Sequence, residues 1–209
     1  FTKWDYELKR TESIHHVVTR AFQVARADPA GPVYLTLPRE LLMEEMEGVR
    51  VLPPERHGGP ITPSADPAAL EEAAKLLTRA RRPLIIAGYA GRNPAAVPSL
   101  VQLAELLGAP VVASVNRMNF PTNHPLWAGV APRAYVPTAD AILVVDSDVP
   151  WIPSEGKPSP DARVVWIDID PIKDSIPLFT FPADLRIHAD SAKALPALVE
   201  AVQEQLGAG

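Results

Sequence analysis

The sequence predicts an α/β protein, a doubly wound parallel sheet with helices on both faces. Three observations carry that expectation. Apolar runs such as Leu84-Ile85-Ile86-Ala87 and Ala141-Ile142-Leu143-Val144-Val145 show no polar alternation, so a strand there must be buried on both sides. Segments of helical period separate these runs. Parallel strands joined by right-handed crossovers then wind the helices onto both faces.

Residues 11–27 have the first helical spacing, with Ile14, Val17, Val18, Ala21, Phe22 and Ala25 on one face and Thr11 or Ser13 as cap. Asp28-Pro29-Ala30-Gly31-Pro32 is a turn cluster, and Val33-Tyr34-Leu35-Thr36-Leu37 is a short strand closed by Pro38. One helix and one strand cannot bury both their faces, so residues 1–38 need a partner. Between 39 and 65 the period disappears among Pro53-Pro54, Gly58-Gly59-Pro60 and Pro63, which reads as an interdomain linker.

A second domain, 66–209, opens with Asp66 as N-cap and Pro67 at the first helical position. Leu70, Ala73, Ala74, Leu76 and Leu77 form the buried face of its first helix, which ends at Arg81-Arg82-Pro83. The strand at 84–87 follows, and Asn93-Pro94 opens a helix that Gly108 ends. Further strands fall at 110–114, 141–145 and 163–167, with a closing helix from Ser191 to Leu206.

Composition excludes several classes of function. The chain has 209 residues, 47% apolar and 22% charged, enough to bury a core, and a net charge of −5 without a basic patch argues against nucleic acid. Its 24 Pro punctuate the chain instead of forming a tract. The absence of Cys removes disulfides, thiolate nucleophiles and cysteine metal sites. No apolar run reaches the roughly 18–20 residues of a membrane span. The start, Phe1-Thr2-Lys3-Trp4-Asp5, lacks an initiator Met and a secretory signal pattern and reads as cut from something longer.

In an open parallel sheet, ligands sit beyond the carboxyl ends of the strands. That rim comprises residues 88–93, 114–119, 146–151 and 168–173. Gly88 and Gly91 ahead of Asn93-Pro94 offer backbone N–H groups to a phosphate, or simply make a tight turn. Asp146 with Asp148, and Asp168 with Asp170, could hold a cation or a ribose hydroxyl, or cap the turns that follow. The five His have no metal-ligand spacing, and no GxSxG, GxxxxGK[ST] or HExxH occurs. The residues therefore outline a nucleotide-shaped rim without a catalytic constellation or a metal site.

A resemblance sharpens this reading. Residues 13–22 (SIHHVVTRAF) and 31–38 (GPVYLTLP) look like the end of the pyrimidine-binding domain of thiamine-diphosphate-dependent enzymes of the acetolactate synthase type. Residues 82–88 (RPLIIAG), 103–112 (LAELLGAPVV), 120–126 (FPTNHPL) and 167–171 (IDIDP) resemble that family's central domain, in order. The resemblance implies that 1–38 is the remnant of the preceding domain and 66–209 the central domain. The parent would be a decarboxylase or carboligase of 2-keto acids, a lyase or transferase. Thiamine diphosphate and Mg2+ would be held by a Glu and a GDG…NN motif in other domains, neither visible here, so the fragment should be inert alone. Some relatives hold FAD or ADP in the central domain, for which Gly88, Ser114, Asn116, Asp168 and Asp170 are the matching positions. The pattern departs from those relatives where Arg117-Met118-Asn119 and Asp146-Ser147-Asp148 place side chains in ligand-contacting stretches. The expected partners are the remaining domains in a homodimer or homotetramer, and the expected location is the cytoplasm.

Overall fold

The computed structural model describes residues 2–48, 51, 53–115 and 117–207. Two compact units divide the chain, Phe1–Thr62 and Pro63–Gly209.

In the first unit, β1 (Trp4–Glu7) and β2 (Val33–Thr36) pair in parallel, with Trp4 opposite Val33 and Glu7 opposite Thr36. The crossover is α1 (Ile14–Arg26), which follows a 3-10 turn over Thr11–Ser13 and buries Val17 and Ala21. β1 escapes the sequence reading because Trp-Asp-Tyr-Glu alternates with a polar face and is half-exposed or exposed throughout. Residues 39–62 group with this unit and include α2 (Arg39–Leu42) and a 3-10 turn at Pro54–His57. The Thr11 hydroxyl ties the segment down by donating to the Leu41 carbonyl at 3.2 Å and to Glu44.

The second unit is a five-stranded parallel sheet. Its strands are β3 (Pro83–Ala87), β4 (Val111–Ala113), β5 (Ala141–Val145), β6 (Arg163–Asp168) and β7 (Leu185–His188), in the order β4-β3-β5-β6-β7. Period two on a doubly covered sheet splits the apolar side chains between two cores. Ile85, Leu143, Val145, Val165 and Ile167 face one core, with α3 (Pro67–Thr78), α4 (Ala96–Leu107) and α5 (Ser191–Gly207). Leu84, Ile86, Ile142, Val144 and Trp166 face the other. There the cover is a 3-10 turn at Pro132–Ala134 leading to Val136 and Ala139, together with Trp151, Phe179 and Phe181.

Direction explains this division. The β3-to-β4 connection runs one way along the sheet, and those from β4 to β5, β6 and β7 run the other. Right-handed crossovers put oppositely directed connections on opposite faces. α3 starts where Asp66 accepts a hydrogen bond from the Ala68 N–H at 2.8 Å, and α4 ends at Gly108 in the left-handed region at φ 60°. β7 is an edge strand in which Leu185 and Arg186 are half-buried and His188 exposed, so its apolar signature is weak.

Candidate functional site

The direction reversal puts the switch point between β3 and β5, the place where open α/β sheets open a crevice for ligands. Here the loops after these two strands are stitched together. The Gly88 N–H donates to the Val145 carbonyl at 3.0 Å and the Tyr89 N–H to the Asp146 carbonyl at 2.6 Å. A Cβ on Gly88 would overlap the Asp146 carbonyl oxygen and lie 2.8 Å from Ser147 Cα, and one on Gly91 would overlap the Met118 carbonyl. Both glycines are thus required by close approach of the protein's own backbone.

Of the sequence-predicted site residues, Asn116 lies outside the described residues. The other four sit on the rim with their polar groups engaged internally. Gly88 offers its carbonyl to Asn119 Nδ2 at 2.7 Å, and Ser114 Oγ is 2.8 Å from Ser147 Oγ. Asp168 Oδ1 accepts from the Asp170 N–H at 2.9 Å, and Asp170 Oδ1 from the Lys173 N–H at 2.9 Å. The second carboxylate oxygen, Asp168 Oδ2, is 2.8 Å from Lys173 Nζ.

Reading the sequence did not single out Lys173, Tyr89 or Arg92, and it noted Arg117 and Asn119 only as departures from the family's pattern, although all fall within the rim segments. Lys173 Nζ also lies 3.0 Å from Asp148 Oδ1. Burial disfavours its ammonium, but the hydrogen bonds and charges of Asp168, then Asp148, outweigh it and raise the lysine pKa. Burial, then the charge of the neighbouring Asp148 carboxylate, raises the Tyr89 phenol. Arg117 stacks over the Tyr89 ring, 5.4 Å from its centroid. Asn119 plugs the base of the loops, donating also to the Ala87 and Arg117 carbonyls at 3.2 Å each and accepting from the Gly91 N–H at 3.0 Å.

Asp146 behaves differently from the other acids. It is 3% exposed, accepts from the Ser191 hydroxyl, lies 3.7 Å from Arg92 Nε, and keeps Oδ1 without a hydrogen-bond partner. Burial lifts its pKa to about 6, opposed by Ser191 and Arg92 and reinforced by Asp168. Its backbone is left-handed, φ 47°, as is that of Lys173 at 51°. Among the described residues no group of three or more His, Cys, Asp or Glu side chains could hold a metal. None of their helices is long and apolar enough to cross a membrane.

The fold and rim define a central-type α/β domain whose switch point is filled from within. Residues 70–198 match the family described as thiamine pyrophosphate enzyme, central domain, and the chain belongs to that family. It is 35% identical over 151 residues to sulfoacetaldehyde acetyltransferase of Castellaniella defragrans, covering 71% of this chain and 24% of that protein. Against a "Probable acetolactate synthase large subunit" of Methanocaldococcus jannaschii it is 27% identical over 220 residues, covering 96% of this chain and 36% of the other. The crystal structure of benzoylformate decarboxylase from Polynucleobacter necessarius superposes with a TM-score of 0.79 at 25% identity, covering 96% of this chain and 38% of that one. The chain therefore spans well under half the length of these relatives.

Proposed function

We propose that the chain is the structural central domain of a thiamine-diphosphate-dependent enzyme acting on 2-keto acids as a decarboxylase or carboligase, and that it is inert alone. The family match supports the cofactor, and the named relatives, which include an acetyltransferase and a decarboxylase, do not choose a substrate. The cofactor would supply the carbanion chemistry from domains outside this chain, since no described cluster here suits a metal–diphosphate group. This chain's part is to hold those domains in place within a cytoplasmic homodimer or homotetramer.

One observation carries the nucleotide-free form of this reading. The described residues matching the FAD- or ADP-binding positions already have partners within the chain: Ser114 pairs with Ser147, Gly88 with Asn119, Asp168 with the Asp170 N–H and Lys173, and Asp170 with the Lys173 N–H. Those residues do not fit a nucleotide as they stand.

The test has two arms. A whole protein carrying this chain should turn over a 2-keto acid only with thiamine diphosphate and Mg2+, whereas the 209-residue chain should show no turnover under the same conditions. Equilibrium titration of the chain with FAD and ADP should show no binding. Micromolar affinity that disappears in Asp168→Ala would establish a nucleotide module instead.

A further inference from the structure

The β6-to-β7 connection crosses the sheet's second face without a helix. Pro171, Pro177 and Pro182 interrupt residues 171–184, and a proline neither donates from its nitrogen nor continues a helix. Connections this long with no secondary structure of their own are uncommon in compact domains.

Backbone bonds anchor only the ends of this segment. The Ile176 N–H donates to the Lys173 carbonyl and the Asp184 N–H to the Val164 carbonyl, each at 2.8 Å. Among the described residues no backbone–backbone hydrogen bond reaches 177–183. That stretch is held instead by Arg186 and a cluster of rings. Arg186 Nη1 donates to the Pro171 carbonyl at 2.7 Å and Nη2 to the Phe181 carbonyl, so one guanidinium ties the start of the segment to its far part. The same group lies over Trp166, 5.1 Å from the ring centroid, and over Phe179 at 5.9 Å. Phe179 meets Trp166 edge-on at 5.5 Å, and Phe181 meets Trp151 in the same way at 5.3 Å.

A cation is unfavourable in this position. Arg186 is half-buried, burial lowers its pKa, and no carboxylate pairs with it among the described residues. A buried charge without a counter-ion costs free energy that an aliphatic side chain would not. The planar fork of an arginine, however, serves two carbonyls at once in a fixed geometry that a lysine ammonium does not reproduce.

We propose that residues 171–184 are a strap that lifts from the second face while the sheet stays folded, and that the Arg186 guanidinium is the clasp that closes it. The strap stands where a crossover helix would otherwise lie. Its release uncovers Trp151 and Trp166, which are 3% and 0% exposed when it is closed. Arg186 is a positioning residue acting through the Pro171 and Phe181 carbonyls, and its role does not depend on what the rim binds.

Limited chymotrypsin digestion of the full chain tests the clasp, with the Phe179–Thr180 bond as reporter and the cut identified by mass. Arg186→Met keeps an aliphatic stem over the rings and removes the fork, whereas Arg186→Lys keeps a cation there without the fork. Both should speed cleavage at that bond by tenfold or more and open Trp151 and Trp166 to acrylamide quenching. Hydrogen exchange in β5, at Leu143 for example, should keep wild-type protection and show that the sheet survives. Cleavage at the wild-type rate in Arg186→Met refutes the clasp. Full rescue by Arg186→Lys refutes it too, because a cation over the rings would then suffice. Protection at Leu143 that falls in step with cleavage would overturn the strap, since the arginine would then hold the sheet itself.

Discussion

Asp146 holds a carboxyl group where its charge is least welcome, behind the loop after β3 and against the first residue of α5. Its folded pKa of about 6 stands above the unfolded value near 3.8, so the native state binds the proton more tightly than the unfolded chain does. The resulting stability is fully present below the unfolded value and is lost as pH rises through about 6. The distance between the two values corresponds to about 3 kcal/mol. Asp146→Asn, neutral at every pH and better suited to a left-handed backbone, should gain stability over wild type between pH 5 and pH 8. Paired thermal or urea unfolding at those two pH values measures the gain; a difference that stays flat with pH would exclude a buried, proton-binding Asp146.

Elements are joined on this rim by single side chains. Asn119 connects the strand end at Ala87, the turn at Gly88–Gly91 and the backbone of Arg117 through four hydrogen bonds, while itself 1% exposed. Asn119→Ala leaves those backbone groups without their partner in the interior, which should cost about 1–3 kcal/mol. Denaturant unfolding with an unchanged m-value would register the loss as a lower midpoint. At the opposite end of the sheet, Asp140 accepts from the Arg81 and Arg82 N–H groups at 3.0 and 2.9 Å, joining the start of β5 to that of β3. Burial opposes its charge, but the two backbone bonds prevail and hold its pKa below the ordinary value. A basic run that suits a helix C-terminus by charge thus also contributes through its backbone.

For the molecule as a whole, the first unit is the part expected to need further cover. Its sheet has two strands, and Phe22 is 60% and Tyr34 62% exposed. Two strands rarely persist in water without further cover. The homo-oligomer expected on this basis should give the 209-residue chain a light-scattering mass above 22.6 kDa. A monomeric mass across the concentration range would count against self-association.

The residues that carried the fold into the sequence were those with only one way to be buried. Apolar runs at β3, β5 and β6 leave no face for water, and Asp66-Pro67 and Gly108 mark helix ends by local chemistry alone. β1 and β7 were not legible because Trp4–Glu7 and Leu185–His188 mix polar and apolar residues, and only a neighbouring strand makes either one a strand. The same contrast governs the candidate site. Strand ends could be read along the chain, so the rim segments and the acids Asp168 and Asp170 were identified in advance. Which groups meet across that rim could not be read this way. Lys173 reaches Asp148 from 25 residues away, and Ser191 reaches Asp146 from 45, because the parallel sheet brings the loops after β5 and β6 and the start of α5 to one edge. Local sequence determined the elements through short-range sterics and burial, and its short motifs carried the resemblance to the family. The tertiary structure decided that the rim's charges and amides satisfy each other, because that pairing depends on strand order and on no spacing along the chain.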